Sequence, residues 1–359
     1  MRTKLPGEKS PERFDVYMCL TACLPVPHTR SSLKNAISTG VAWIPEILIL
    51  VSAVCLFSLL PGAQSAAAES DPVTPGQTVN TDSAKKADLP SHTFSMGNNL
   101  NGTFAPGTHL YPVYPADPFH PTTALNAARF SDSEIPAAGD KRYIFRIGGR
   151  LGLLRISPAK HYDRGFQLNL HGTFLGMFDR EHSLDNIGWD GLYGFNLSWR
   201  GASGTALKLG INHDSSHVGD EYAERTGRLR DEYTRQEYVA GISVPLYPHL
   251  RGYAEAGWAF DLRNKALQDK WRFQSGLEFR DPDAFWNGQM GYYAAVDMTS
   301  FEESDWEPDV TVQAGLMLPV DRIHRDFRMG IEYRNGRSLI GEFSTYEETY
   351  WVWGIWIDL

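Results

Sequence analysis

The sequence predicts an all-β fold: a transmembrane, antiparallel, up-and-down β-barrel of about 12 strands, occupying residues 122–359. Three observations predict it. Apolar and polar residues alternate with a period of two from Thr122 onward. The intervals between these segments alternate between short and long. The alternation then continues to the last residue, Leu359.

Composition limits the alternatives. The chain has 359 residues, of which 42% are hydrophobic and 12% aromatic, so it is too apolar to stay disordered. A net charge of −9 gives no electrostatic footprint for nucleic acid. A mean hydropathy of −0.34 excludes a polytopic helical membrane protein. Cys19, Cys23 and Cys55 all precede residue 56, which leaves the rest of the chain without a disulfide framework.

The amino-terminal part reads as a leader. Val41–Leu60 contains an uninterrupted apolar run from Ile47, with Arg30 and Lys34 before it and small residues up to Ala68 after it. These are the parts of a signal peptide, assigned to residues 1–68. A single anchor is the alternative, although Pro45 and Glu46 shorten the span. Residues 69–121 read as a flexible periplasmic linker, ending in a Pro-punctuated stretch from His109 to Pro121 that cannot be helical and should lie extended against something.

The strands follow in order. Clear alternation marks Phe166–Phe178, Tyr193–Trp199, Leu207–Ile211, Trp271–Phe279 and Phe327–Tyr333. Weaker copies run near 142–156, 236–246, 250–262, 285–299, 309–319 and 346–359, and a short first strand starts near Thr122. The second face of these strands carries Arg146, Arg150, Lys208, Arg251, Glu255, Arg272, Glu278, Arg280, Arg328, Glu332 and Arg334. Long side chains of both charges suit pairing across a narrow lumen, so the apolar face is assigned to lipid. Trp189, Trp286, Trp306 and Tyr350 fall near strand ends, as girdle residues would. The longest interval is 214–235, and an even strand number puts both termini on the short-turn side. The closing residues, with Gly354, Ile357 and Leu359, resemble the insertion signal read by the bacterial barrel-assembly machinery.

One stretch is dense in reactive groups: His213-Asp214-Ser215-Ser216-His217-Val218-Gly219-Asp220-Glu221. A His and a Ser two apart on a strand point the same way, as base and nucleophile must. His-x-Ser at a strand end resembles outer-membrane phospholipase A and the lipid A deacylase barrels. That resemblance implies Ser215 as nucleophile, His213 as general base and Gln236 on the next strand as orienting group, with Glu232 as a looser option. Asp220 and Glu221 could hold Ca²⁺. Ser216 stands where the phospholipase has an asparagine. The same residues also suit a turn closed by Asp and Ser side chains, with the histidines packed in a loop.

The Ser215–Glu221 stretch and Ala116-Asp117-Pro118 together resemble a bacterial family known as domain of unknown function 1207. The resemblance runs from about residue 110 to the end. It implies an exported or outer-membrane barrel and supplies no activity. The readings therefore leave a structural or surface role with a closed or narrow polar lumen, a lipid-active serine esterase, or a small-solute channel. The expected location is the bacterial outer membrane, with the lipid bilayer and lipopolysaccharide as surroundings.

Overall fold

The computed structural model describes residues 92–358, except Asn98 and 322–324. The leader, the three cysteines and residues 69–91 of the linker lie outside the described residues. Fourteen strands are present: β1 Thr93–Ser95, β2 Leu100–Phe104, β3 Thr123–Ser133, β4 Lys141–Pro158, β5 Gly165–Asp179, β6 Asp185–Arg200 and β7 Ala206–Val218. They continue as β8 Thr234–Tyr247, β9 Leu250–Arg263, β10 Trp271–Phe285, β11 Met290–Phe301, β12 Pro308–Asp321, β13 Arg325–Arg337 and β14 Glu347–Ile357. Each strand from β3 to β14 pairs antiparallel with the next, and β14 returns to β3 with Trp353 opposite Ala127. The result is a closed barrel of twelve strands.

The period of two is resolved as expected. Leu209 is 63% exposed and Ile147 64%, whereas Arg142 and Arg328 on the opposite face are at most 1% exposed. Every ion named on the polar face in the sequence turns inward. Lys208 pairs with Glu255 at 2.5 Å, Arg272 with Glu237 at 2.6 Å and with Glu255 at 2.7 Å, and Arg328 with Asp358 at 2.9 Å. Such pairs are tolerable away from water because each charge has a partner.

Three differences have physical reasons. β7 continues through Asp214–Val218, where the longest connection was expected to begin, because its ladder with β6 runs on until Gly188 opposes Val218. Its polar side chains hid that extension from a hydropathy pattern. Tyr350, read as a girdle residue, instead points inward and is fully buried against Phe130, with ring centroids 4.4 Å apart. It shares its parity with Val352 and Trp356, which are also buried. The lumen is thus not uniformly polar: Ile144, Leu175, Met177 and Trp356 form an apolar core together with Ile340 and Phe343 of the β13–β14 loop. The stretch read as linker is structured from Thr93, where β1 and β2 form a hairpin and β2 pairs with β4 at Leu154–Pro158.

Candidate functional sites on the wall and in the lumen

His213 and Ser215 lie on β7 with the parity of Leu207, Leu209 and Ile211, facing outward near the long-loop rim. Gln236 of β8 is directly opposite His213 and within reach of its ring. The Gln236 amide donates to Asp261 Oδ2 at 2.9 Å. The His213 ring stacks on Tyr193, with centroids 4.6 Å apart. Ser215 makes no side-chain hydrogen bond among the described residues, and none joins it to His213. The fold therefore brings the three candidate residues onto one outward patch without linking nucleophile to base.

The next residue has a different task. Ser216 faces inward and is completely buried. Its hydroxyl donates to Asp190 Oδ1 and accepts the Glu342 amide at 2.9 Å, while Asp190 Oδ2 accepts the Gly341 amide at 3.0 Å. Glu342 in turn accepts the amides of Asp231 at 2.5 Å and Tyr233 at 3.3 Å. The β13–β14 loop is thereby clasped into the long-loop mouth. His217 is outward again and stacks on Trp189 at 4.0 Å.

Gly219 ends the strand where a Cβ would sit 1.8 Å from the Asn186 carbonyl oxygen, so only glycine fits. Asp220 and Glu221 open a short helix, α1 (Asp220–Thr226), whose Tyr222 is buried and donates to the Pro136 carbonyl at 2.5 Å. Adjacent helical residues do not face one another. Among the described residues no three His, Cys, Asp or Glu side chains converge to hold a metal ion.

The opposite half of the lumen is crossed by residues 105–122. The chain enters along the edge of β4, where a Cβ on Gly152 would lie 2.7 Å from Pro106 Cγ. Arginines of the wall then take its carbonyls one after another. Arg155 Nη2 donates to Thr108 O at 2.7 Å, Arg150 Nη1 to Tyr111 O at 2.8 Å, and Arg146 Nη1 to Pro118 O at 2.7 Å. Arg251 donates to Val113 O, and Arg328 to Pro115 O at 3.2 Å. Tyr114 lies flat on Tyr253, with centroids 3.8 Å apart. Ala116-Asp117-Pro118 makes the turn, in which Asp117 Oδ1 accepts the Phe119 amide at 2.9 Å.

Within this segment, burial and the nearby Arg150 bring the His109 imidazole down to about pKa 3. Burial beside Arg150, Lys208 and Arg328 also holds His120 well below the ordinary value.

Sequence reasoning named Arg146, Arg150, Arg251 and Arg328 as lumen residues but not Arg155, and missed what all five hold. The signal available was their spacing on β4: 142, 146 and 150 share one parity, and a register shift between Gly152 and Leu154 brings Arg155 onto the same face.

A closed antiparallel barrel, apolar outside and ionic within, has the architecture of a membrane-spanning barrel. The chain belongs to the family described as "Protein of unknown function (DUF1207)", which matches residues 24–357. No curated protein matches. Among solved structures it is similar to outer membrane phospholipase A from Escherichia coli, at 11% identity and a TM-score of 0.46, over 70% of this chain and 96% of that one. It is also similar to LpxR from Salmonella typhimurium, at 10% identity and a TM-score of 0.31, over 66% of this chain and 100% of that one. The KdgM porin in complex with oligogalacturonate gives 10% and 0.34, over 66% and 99%. No residue role is carried over from any of them.

Proposed function

We propose that the protein is an outer-membrane barrel with a shut lumen, serving a structural or surface role and not solute passage. The bilayer and its lipopolysaccharide leaflet are its surroundings, and the barrel-assembly machinery inserts it. The observation that carries this reading is the strap at residues 105–122, held across the lumen through backbone carbonyls by five arginines. Hydrogen bonds from charged donors contribute about 1.5–3 kcal/mol each, so five of them keep the strap seated in nearly all molecules. The clasped β13–β14 loop folds into the other mouth and narrows it without plugging it. In planar bilayers the full chain should give no stepwise conductance, and deletion of residues 92–121 should produce it. Steady channel openings from the intact chain would end this reading.

A second reading, a lipid-active serine hydrolase, is favoured by one feature: Ser215 and His213 share the lipid-side face, with Gln236 and Asp261 behind the histidine. Ser215 Oγ would attack a lipid ester carbonyl while His213 takes its proton and passes it to the alcohol that leaves as the ester C–O bond breaks, and water would then release the fatty acid from the acyl-serine. Ser215→Ala should then abolish hydrolysis of a labelled phospholipid or lipid A. Unchanged turnover, or none in the native chain, removes this reading.

A further inference from the structure

Between the strap and the clasped loop the lumen holds a partly open cavity of about 150 Å³. Its wall toward the long-loop rim includes Asp190, Leu192, Asp214, Tyr233 and Leu339. Asp190 is satisfied by Ser216 and the Gly341 amide. Asp214 is not.

The cross-strand neighbour of Asp214 is Arg235, which is the residue expected to neutralise it. That guanidinium is committed elsewhere: Nε to Glu237 at 3.0 Å, Nη1 to Asp269 O at 2.8 Å and Nη2 to Lys270 O at 2.9 Å. None of the other cations on the cavity pairs with Asp214: Arg150 donates Nη1 to Tyr111 O and leaves Nε and Nη2 without a partner. Lys208 pairs with Glu255, Arg272 with Glu237 and Glu255, and Arg337 with Asp309 and Glu303. Among the described residues Asp214 makes neither an ion pair nor a hydrogen bond, and its Oδ1 is sealed from solvent. Asp214 is half-buried, and a carboxylate with one sealed oxygen and no paired cation is stabilised by a cation that reaches it.

We propose that this cavity binds a small organic cation, an alkylammonium compound whose charged end pairs with Asp214. Its hydrocarbon body lies against Leu192 and Leu339, and the Tyr233 ring adds attraction for the charge. A cavity of about this size accepts a molecule the size of benzene, which sets the length at a few carbons. A sodium ion would satisfy the charge and leave the apolar wall empty. The proposal goes beyond the closed lumen, because the chamber can hold a ligand whether or not the barrel conducts.

The test uses the full chain refolded in detergent, with isobutylammonium chloride as probe. Isobutanol is its neutral analogue and sodium chloride its inorganic one. At about a hundredfold excess over Kd the ammonium should raise Tm by roughly 5 °C or more, and neither analogue should. Asp214→Asn should lose at least tenfold in affinity, whereas Asp220→Asn on α1 should bind as the native chain does. Should Asp214→Asn fail to fold, contacts between ¹³C-labelled ligand methyls and those of Leu192 and Leu339 decide the matter by NMR. No rise, an equal rise with isobutanol or sodium chloride, a rise that survives in Asp214→Asn, or absent methyl contacts would overturn the proposal.

Discussion

Arg155→Gln isolates the hold on the strap most cleanly. The Arg155 guanidinium donates to Thr108 O at 2.7 Å and to Thr108 Oγ1 at 2.8 Å, while its other nitrogens reach Tyr162 O at 3.0 Å and Gln167 Oε1 at 2.8 Å. Glutamine is too short to reach Thr108 from β4. Two hydrogen bonds from a charged donor are lost, at about 1.5–3 kcal/mol each. Removing a buried guanidinium that makes no salt bridge among the described residues returns part of that, for a net loss of about 3 kcal/mol in the seating of the strap. At about 1.4 kcal/mol per factor of ten, the unseated fraction should rise roughly a hundredfold. The assay replaces the three native cysteines by serine and Val113, only 1% exposed, by cysteine. The rate of modification by a hydrophilic maleimide then reports the unseated state. If labelling in Arg155→Gln stays within twofold of the parent rate, these bonds do not hold the strap.

Two further outcomes follow from the same geometry. Ser216→Ala leaves Asp190 Oδ1 without its donor in a site closed to water, and should cost about 1–3 kcal/mol, read as a lower thermal midpoint and earlier proteolysis of the β13–β14 loop. Arg328→Met strips Asp358 of a partner that donates at 2.9 and 3.0 Å, and should cost about 3–5 kcal/mol in denaturant unfolding. The double variant Arg328→Met with Asp358→Asn should recover part of that loss.

Much of the wall was legible in the sequence because a lipid-facing strand must alternate and a lumen must pair its charges. All twelve strands of the barrel could be read from that constraint. The alternating connections, such as the brief turn at 248–249 against the long excursion at 219–233, supported the count. What could not be read has two physical causes. Where both faces of a strand are polar, as along His213–Val218, hydropathy cannot tell strand from loop, and only pairing with β6 extends it. Where an arginine holds a backbone carbonyl, as Arg146 holds Pro118, no complementary residue appears in the sequence to announce the partner. The candidate site was half legible. Parity placed His213 and Ser215 outward, and the same parity, once β7 is extended, turns Ser216 and Asp214 inward, where they serve the clasp and the cavity.

The claim beneath all of this is that the aliphatic face of the barrel meets acyl chains. Single fluorophores attached at Leu209→Cys and, one residue before it, at Lys208→Cys, in bilayers containing brominated lipid, test it most directly. Strong quenching at 209 with none at 208 is the predicted result. Equal quenching at both, or quenching at 209 only by a water-soluble agent, would contradict it.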